Sequence, residues 1–354
     1  SCHPTLVVVC HPCQVTNDTL ATPTCILGLG LIGGSLMRDL AEADAPVYGW
    51  NRSAGTAEAA AEEGFDASTD LTAVLRRAQE DRALLVIGVP MFAVGGLLDQ
   101  IAEHAPDCGI TDVVSVKRAI LDEVDARGMG DRYVGAHPMA GSEESGWDAT
   151  RTGLYDGAAW VVCFDRAAEA AAAGAEVPEE WTKTFRDVVA LGKFVRSEVI
   201  PATADNHDRA VARISHMPHL LAYALAVVGD DGGPLTLSLA AGSFRDGTRV
   251  AGAEPDMVMS WCENNVAPVA DALDEAIALL TAARDDLEEK GTAAALAEAG
   301  FHAHGRYRAR AKPRKLDGGV KMSHRPVIRV SPGDGQWVRE LEQAEGLGGR
   351  IEIF

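Results

Sequence analysis

A chain of 354 residues, 47% hydrophobic and 24% charged, is long enough for two domains around sizeable cores. Its net charge of −20 argues against nucleic acid or an anionic membrane surface as a partner, because such a surface repels both. The seven cysteines are odd in number and scattered, so they make no disulfide framework and read as reduced thiols of a cytoplasmic protein.

Residues 1–21 read as a leader without regular structure. Cys2, His3, Cys10, His11 and Cys13 gather there without the paired spacing of zinc ligands, so no metal is expected. No basic segment leads into a signal-like apolar run, and no run of about 20 apolar residues that could cross a bilayer is read. From residue 22 a regular alternation begins. "PTCILGLG" (23–30) is a short apolar strand running into glycines, "SLMRDLAEA" (35–43) a helix, and "PVYGWN" (46–51) a second strand. "TAEAAAEEG" (56–64) is helical, and "RALLVIGVP" (82–90) is a buried strand stopped by proline. "VGGLLDQIAEHA" (94–105), "ITDVVSV" (110–116) and "RAILDEVDARG" (118–128) continue as helix, strand and helix. Strands alternating with helices predict parallel βαβ units in a doubly wound sheet over residues 22–200. "AAWVVCF" (158–164) and "GKFVRSE" (192–198), on either side of a helix at about 179–191, are expected to extend that sheet.

After Pro201 only helices are predicted, forming a second, all-helical domain over 201–300. "TADNHDRAVARISHMPHLLAYALAVVG" (203–229) is apolar nearly all round in its second half, so it must be buried in a core or against a partner subunit. "SWCENNVAPVADALDEAIALLTAARDDLEEK" (260–290) reads as one long amphipathic helix, with Val266, Val269, Leu273, Ile277 and Leu280 on one stripe. Dimerisation through this domain is expected. Residues 301–326 read as a basic linker. Residues 327–354 read as a small strand–helix–strand appendage, too short to stand alone and therefore docked on the body or a partner.

Two motifs carry chemistry. Gly28, Gly30 and Gly33 form G-x-G-x-x-G between a strand and a helix, the pattern of a Rossmann dinucleotide site. The first glycine allows the tight turn, the second the approach of a pyrophosphate, and the third close packing of helix on strand. The cradle is then Gly28, Leu29, Gly30, Leu31, Ile32 and Gly33, whose backbone N–H groups meet phosphate at a helix N-terminus. Where an NAD-selective site would place an acid against the ribose, this chain has Asn51, followed by Arg52 and Ser53. Those residues suit a 2′-phosphate and favour NADP, with NAD the alternative. The second motif is "VGAHPMAGSEESGW" (134–147), in which Pro138 holds His137 toward extended backbone. By itself His137 could be no more than the residue at the end of a strand. The first helix of the second domain adds His207, Ser215, His216 and His219. Ser215 and His219 share a face, and Pro218 breaks the helix beside them. No lysine lies between Lys193 and Lys290, which argues against a lysine-based hydroxyacid dehydrogenase.

"GAHPMAGSEESGW", "SVK" (115–117), "HDRAVARISHMPH" and "SFRDGTRVAGAEPDMVMSW" together resemble the prephenate/arogenate dehydrogenases of tyrosine biosynthesis, over about residues 24–290. The resemblance implies a Rossmann domain, an all-helical dimerisation domain and oxidative decarboxylation of prephenate or arogenate. It implies that His137 receives the ring hydroxyl proton, with Ser115 in the same hydrogen-bonded cluster. Arg249 would bind a substrate carboxylate, with a surface ion pair to Asp246 or Glu254 as its bland alternative. His207, Ser215, His216 and His219 would line the pocket or fix its helix; His219 is the favoured substrate contact and His216 the one that supports the helix. Glu143 would pair with Arg249 and influence substrate entry, or else be a solvated loop acid. Prephenate is preferred to arogenate because His219 is read as a neutral donor that suits a ketone. Another hydroxyacid or imine reductase, and a non-catalytic NADP-binding sensor on the same scaffold, are the rival readings.

Overall fold

The computed structural model describes residues 20–141, 144–311, 314–315 and 321–354. The expected leader up to residue 19, its cysteine–histidine cluster and Glu143 lie outside the described residues. Six strands, Thr24–Leu27 (β1), Val47–Trp50 (β2), Ala67–Ser68 (β3), Leu84–Ile87 (β4), Ile110–Asp112 (β5) and Tyr133–Val134 (β6), form one parallel sheet in the order β3-β2-β1-β4-β5-β6. Between them run the helices Leu31–Glu42 (α1), Ala54–Glu62 (α2), Leu71–Asp81 (α3), Met91–His104 (α4) and Arg118–Asp125 (α5). Strand alternation divides the core. Ile26, Leu84 and Val86 face a cluster with Leu36 and Met37, while Cys25, Leu27, Leu85 and Ile87 face one with Leu98 and Ile101. Central strands covered on both faces must be apolar at every position, and β4 is. Chain order reverses between β1 and β4, opening a crevice at their carboxyl ends where ligands of such sheets bind.

The expected extension of this sheet is corrected. Ala136–Pro138 (β7), Ala159–Cys163 (β8) and Glu198–Ala202 (β9) build a separate sheet, with β7 antiparallel and β9 parallel to β8. Residues 192–194 belong to the helix Glu179–Phe194 (α7), which follows Asp165–Ala172 (α6). Strand β6 ends after two residues, and Gly135 turns the chain away so that its carbonyl accepts from the Cys163 amide at 2.7 Å. The short strand carrying His137 therefore leaves the main sheet and stands beside its carboxyl edge.

The second region is helical: Ala204–Val211 (α8), a π-helical turn Ala212–His216, Met217–Asp231 (α9), Gly233–Ser238 (α10), Gly242–Thr248 (α11), a 3₁₀ turn Arg249–Gly252, Pro255–Glu263 (α12), Val266–Lys290 (α13) and Ala294–Ala311 (α14). Pro218 lacks an N–H, and the chain accommodates this by widening into a π turn just upstream while the helix continues. The continuous helix over Ala204–Asp231 is long and apolar enough to cross a membrane by length and composition, which corrects the reading that no such segment exists. His216, Pro218 and His219 interrupt its apolar run and hid it from a count of consecutive residues. The helix stretch expected over 260–290 is two helices broken at Asn264 and Asn265, and of its stripe only Val269 and Leu273 pack inward. Leu225, Val227, Val228, Leu235 and Leu239 are exposed.

The expected linker is also corrected. Residues 301–311 continue α14, where alanines at 294, 295, 297, 299, 303, 309 and 311 favour helix and no proline intervenes before Pro313. Beyond it, Arg314–Lys315 (β10) pairs antiparallel with Lys321–Met322 (β11). The last strand–helix–strand unit, Val327–Val330 (β12), Trp337–Leu347 (α15) and Arg350–Ile353 (β13), is docked on the body. Its Trp337 lies 6.1 Å from Trp181 and 5.7 Å from Phe185 between ring centroids, and Arg186 donates to the Pro332 carbonyl.

Candidate active site

The glycine loop shows why two of the three glycines are sterically required. Gly28 has φ +115°, and a Cβ there would lie 2.5 Å from the Gly88 carbonyl oxygen, just past the end of β4. A Cβ at Gly33 would lie 2.0 Å from the Gly28 oxygen, whereas nothing lies within 4 Å of one at Gly30. Gly30 begins α1, whose first turn has no side-chain cap, so its amides face the open side of the loop. This cradle fits a pyrophosphate. Leu29 and Leu31 are buried and Ile32 half-buried, so they offer backbone and not side chain. Asn51 braces the loop from the end of β2, its Oδ1 accepting from Leu29 N at 3.0 Å. Arg52 and Ser53 are exposed beside it. A fourth glycine escaped the motif: a Cβ at Gly34 would meet Thr150 at 2.5 Å and Trp147 at 3.1 Å. The loop after His137 is thereby seated on α1, where the Trp147 indole N–H donates to Glu63 and Arg38 lies over the ring. Replacing Gly33 with alanine should weaken dinucleotide binding at least about tenfold by calorimetry, because the Gly28 carbonyl must move. Unchanged affinity with an unchanged circular dichroism spectrum would detach the loop from cofactor binding.

His137, half-buried on β7, has Nδ1 2.8 Å from His207 Nε2, and His207 Nδ1 is 2.7 Å from Asp208 Oδ1. Asp208 also accepts from the Lys117 and Arg118 amides at 2.8 Å each, so it caps α5. Burial pushes the Asp208 carboxyl up, but the bonds from His207 and those amides hold it below its ordinary range. An ionised Asp208 can only accept, so His207 carries its proton on Nδ1 and turns the Nε2 lone pair toward His137. Neutral His137 then donates through Nδ1 and keeps a lone pair on Nε2. Burial, then the neighbouring His207 and Lys117, hold the His137 pKa well below the usual histidine range. Burial lowers His207 as well. The chain of bonds presents a neutral imidazole base of fixed tautomer.

Beneath β7 lies a buried cluster that inspection of the sequence missed. Lys117, 1% exposed, bonds Asp112 and donates to the Ala136 carbonyl at 2.7 Å. Tyr133 donates to the other Asp112 oxygen at 2.7 Å. The signal was an aspartate inside the apolar strand "ITDVV", since a buried charge needs a partner.

On the helical side, His219 Nδ1 is 2.8 Å from the Ser215 carbonyl, which can only accept. His219 therefore donates through Nδ1, and in the neutral ring Nε2 is an acceptor. This corrects the reading of His219 as a neutral donor. Its ring meets Trp261 edge-on at 5.2 Å, and His216 stacks on the same indole at 5.9 Å. His216 is 1% exposed, its Nδ1 lies 3.3 Å from Asn265 Nδ2, and burial lowers its pKa to about 4. Asn265 also donates to the Asp208 carbonyl at 2.9 Å. His207 and His216 are thus internal supports, whereas His219 and Ser215 are half-buried. Ser115 lies in the bend after β5 and makes no hydrogen bond to another described residue, so it is not joined directly to the relay. Arg249 is exposed at the start of the 3₁₀ turn that packs on α9, the helix bearing His219. Asp208, Lys117, Asp112, Asn265 and Trp261 are the site residues not singled out from sequence.

Two family models match the chain, "Prephenate dehydrogenase, nucleotide-binding domain" over residues 36–184 and "Prephenate dehydrogenase, dimerization domain" over 203–299. A prephenate dehydrogenase of Lactococcus lactis is 30% identical over 249 residues, 68% of this chain and 64% of that one, so the match spans just under two thirds of that relative. The crystal structure of a provisionally assigned prephenate dehydrogenase of Corynebacterium glutamicum superposes with TM-score 0.87 and 49% identity, covering 94% of this chain and 99% of that one. An arogenate dehydrogenase of Synechocystis gives TM-score 0.66 and 26% identity, covering 81% and 99%.

Proposed function

Since the chain belongs to the prephenate dehydrogenase family, we propose that it oxidises prephenate to 4-hydroxyphenylpyruvate and carbon dioxide, reducing NADP. The observation that carries the proposal is the fixed tautomer of His137, a neutral base beside the carboxyl edge of a dinucleotide-binding sheet. The bound dinucleotide supplies the hydride acceptor. As hydride leaves the carbinol carbon, His137 Nε2 takes the hydroxyl proton. Loss of carbon dioxide then leaves its bonding electrons in an aromatic ring, and the proton returns to the phenolate oxygen. Ser115 would share the substrate hydroxyl with His137, Arg249 would hold a carboxylate, and Glu143 would influence substrate entry by pairing with Arg249. Ser215 and His219 would contact the side chain of the substrate, while His207 and His216 hold the helix. Asn51, Arg52 and Ser53 support NADP over NAD, since none would repel a 2′-phosphate. A homodimer is supported by the exposed apolar residues of α9 and α10. The free thiols Cys25, Cys108, Cys163 and Cys262 support a reducing cytoplasm.

A second reading has one observation in its favour. The His219 Nε2 lone pair would accept from the ammonium group of arogenate, which prephenate lacks. Against it stands the prephenate dehydrogenase named among the relatives. Absorbance of reduced nicotinamide, followed for prephenate and arogenate with NADP and with NAD, separates all four pairings. Prephenate with NADP should give the highest kcat/KM, and silence in every pairing would overturn the enzymatic reading.

The acid limb has a determined sign. A base works only when neutral, and the depressed pKa keeps His137 neutral to lower pH. The kcat/KM should therefore hold down to about pH 6.5, where a free histidine is half protonated, and fall only below it. A midpoint above that value would assign the limb to another group.

A further inference from the structure

The last 30 residues touch the helix that bears the relay. Glu345, half-buried on α15, accepts three hydrogen bonds at Oε1, from Thr203 N at 2.8 Å, Thr203 Oγ1 at 3.3 Å and Asn206 Nδ2 at 2.8 Å. Thr203 is the N-cap of α8, and its carbonyl accepts from His207 N at 2.9 Å. The start of α8 is therefore held by a residue 142 positions later in the chain, one helical turn before His207 and Asp208. A carboxylate at that end also suits the helix dipole. The segment leading into the unit grips the adjoining strand, since Ser323 donates to Glu198 of β9 at 2.9 Å and Arg325 pairs with the same oxygen. Trp337 anchors it to α7 through Trp181 and Phe185. The unit thus spans the junction where the dinucleotide-binding half passes into the helical half.

We propose that the C-terminal strand–helix–strand unit is a latch for the catalytic relay, and that Glu345 is a positioning residue acting through Thr203 and α8 on His207, and through it on His137. The relay tolerates little displacement. Its ring contact at 2.8 Å is already at hydrogen-bonding distance, and a shift of half an ångström or more in α8 carries it past about 3.2 Å. His137 would then lose the partner that holds its proton on Nδ1, and the two tautomers would mix. The kinetic part rests on the proposed dehydrogenase activity, whereas the tautomer does not.

The test compares Glu345→Ala and Glu345→Gln in the full chain. Glutamine keeps an Oε1 acceptor, so it should retain at least about half the parental kcat, whereas alanine should lower kcat by about tenfold with KM within about twofold. Nitrogen-15 NMR of the His137 ring should show a single Nδ1–H tautomer in the parent and in Glu345→Gln, and a mixture in Glu345→Ala. An unchanged tautomer in Glu345→Ala overturns the proposal whatever the kinetics. Should the parent prove inactive in all four pairings, the function fails but the NMR comparison still decides the latch. If Glu345→Ala does not fold, Asn206→Ala removes one of the three bonds from the other side and should shift the same populations less.

Discussion

Replacing His137 with asparagine should lower kcat by at least about 10²-fold while dinucleotide affinity and melting temperature stay near the parental values. Asparagine is the informative choice because its Nδ2 can still donate toward His207 Nε2, the bond His137 makes at 2.8 Å. The strand should survive, since β7 is held by the backbone pairing of His137 with Val161. What asparagine lacks is a nitrogen lone pair able to take a proton near neutral pH. The loss should therefore appear in kcat and not in KM, and the acid limb of the profile should flatten. Retention of most of the turnover would return His137 to the role of a residue at the end of a strand.

Replacing Lys117 with methionine should destabilise the fold by about 3–5 kcal/mol, the range seen when one partner of a buried ion pair is removed. Lys117 and Asp112 are 1% and 0% exposed, so water cannot replace the lost cation. Asp112 would keep the Tyr133 hydroxyl at 2.7 Å and the Val114 amide at 2.8 Å, but these are neutral donors. At about 2–4 °C per kcal/mol for a unit the size of the dinucleotide-binding half, its melting should fall by on the order of 10 °C. Pairing Lys117→Met with Asp112→Asn should recover part of the loss, because no uncompensated charge then remains. A single variant within about 1 kcal/mol of the parent would show that Asp112 needs no cation. Activity should fall too, since the Ala136 carbonyl held by Lys117 adjoins His137.

Both predictions rest on contacts of unequal legibility. The dinucleotide loop could be read because Gly28, Gly30 and Gly33 lie within six residues and act on one another: the Gly28 oxygen is what a Cβ at Gly33 would strike. The alternation of β1, α1 and β2 was equally local. The second sheet was not, since the apolar pattern of β8 is the same whether it pairs with β6 or with β7 and β9. Hydrogen-bond partners across a sheet leave no trace in the strand itself. Residues 301–311 misled for a related reason, because basic composition suggested solvent while the alanines permitted helix.

The division has one physical cause. Turn sterics, backbone N–H groups at a helix start and strand periodicity act between neighbours, so sequence by itself determined a doubly wound dinucleotide-binding half followed by a helical half. It also marked His137 as a residue held extended by Pro138. Which nitrogen of that histidine carries the proton was decided by His207, 70 residues away, and by the Asp208 beside it. The hold on α8 comes from Glu345, 142 residues after Thr203. Hydrogen bonds between side chains act over about 3 Å, and only tertiary packing sets which distant groups come that close.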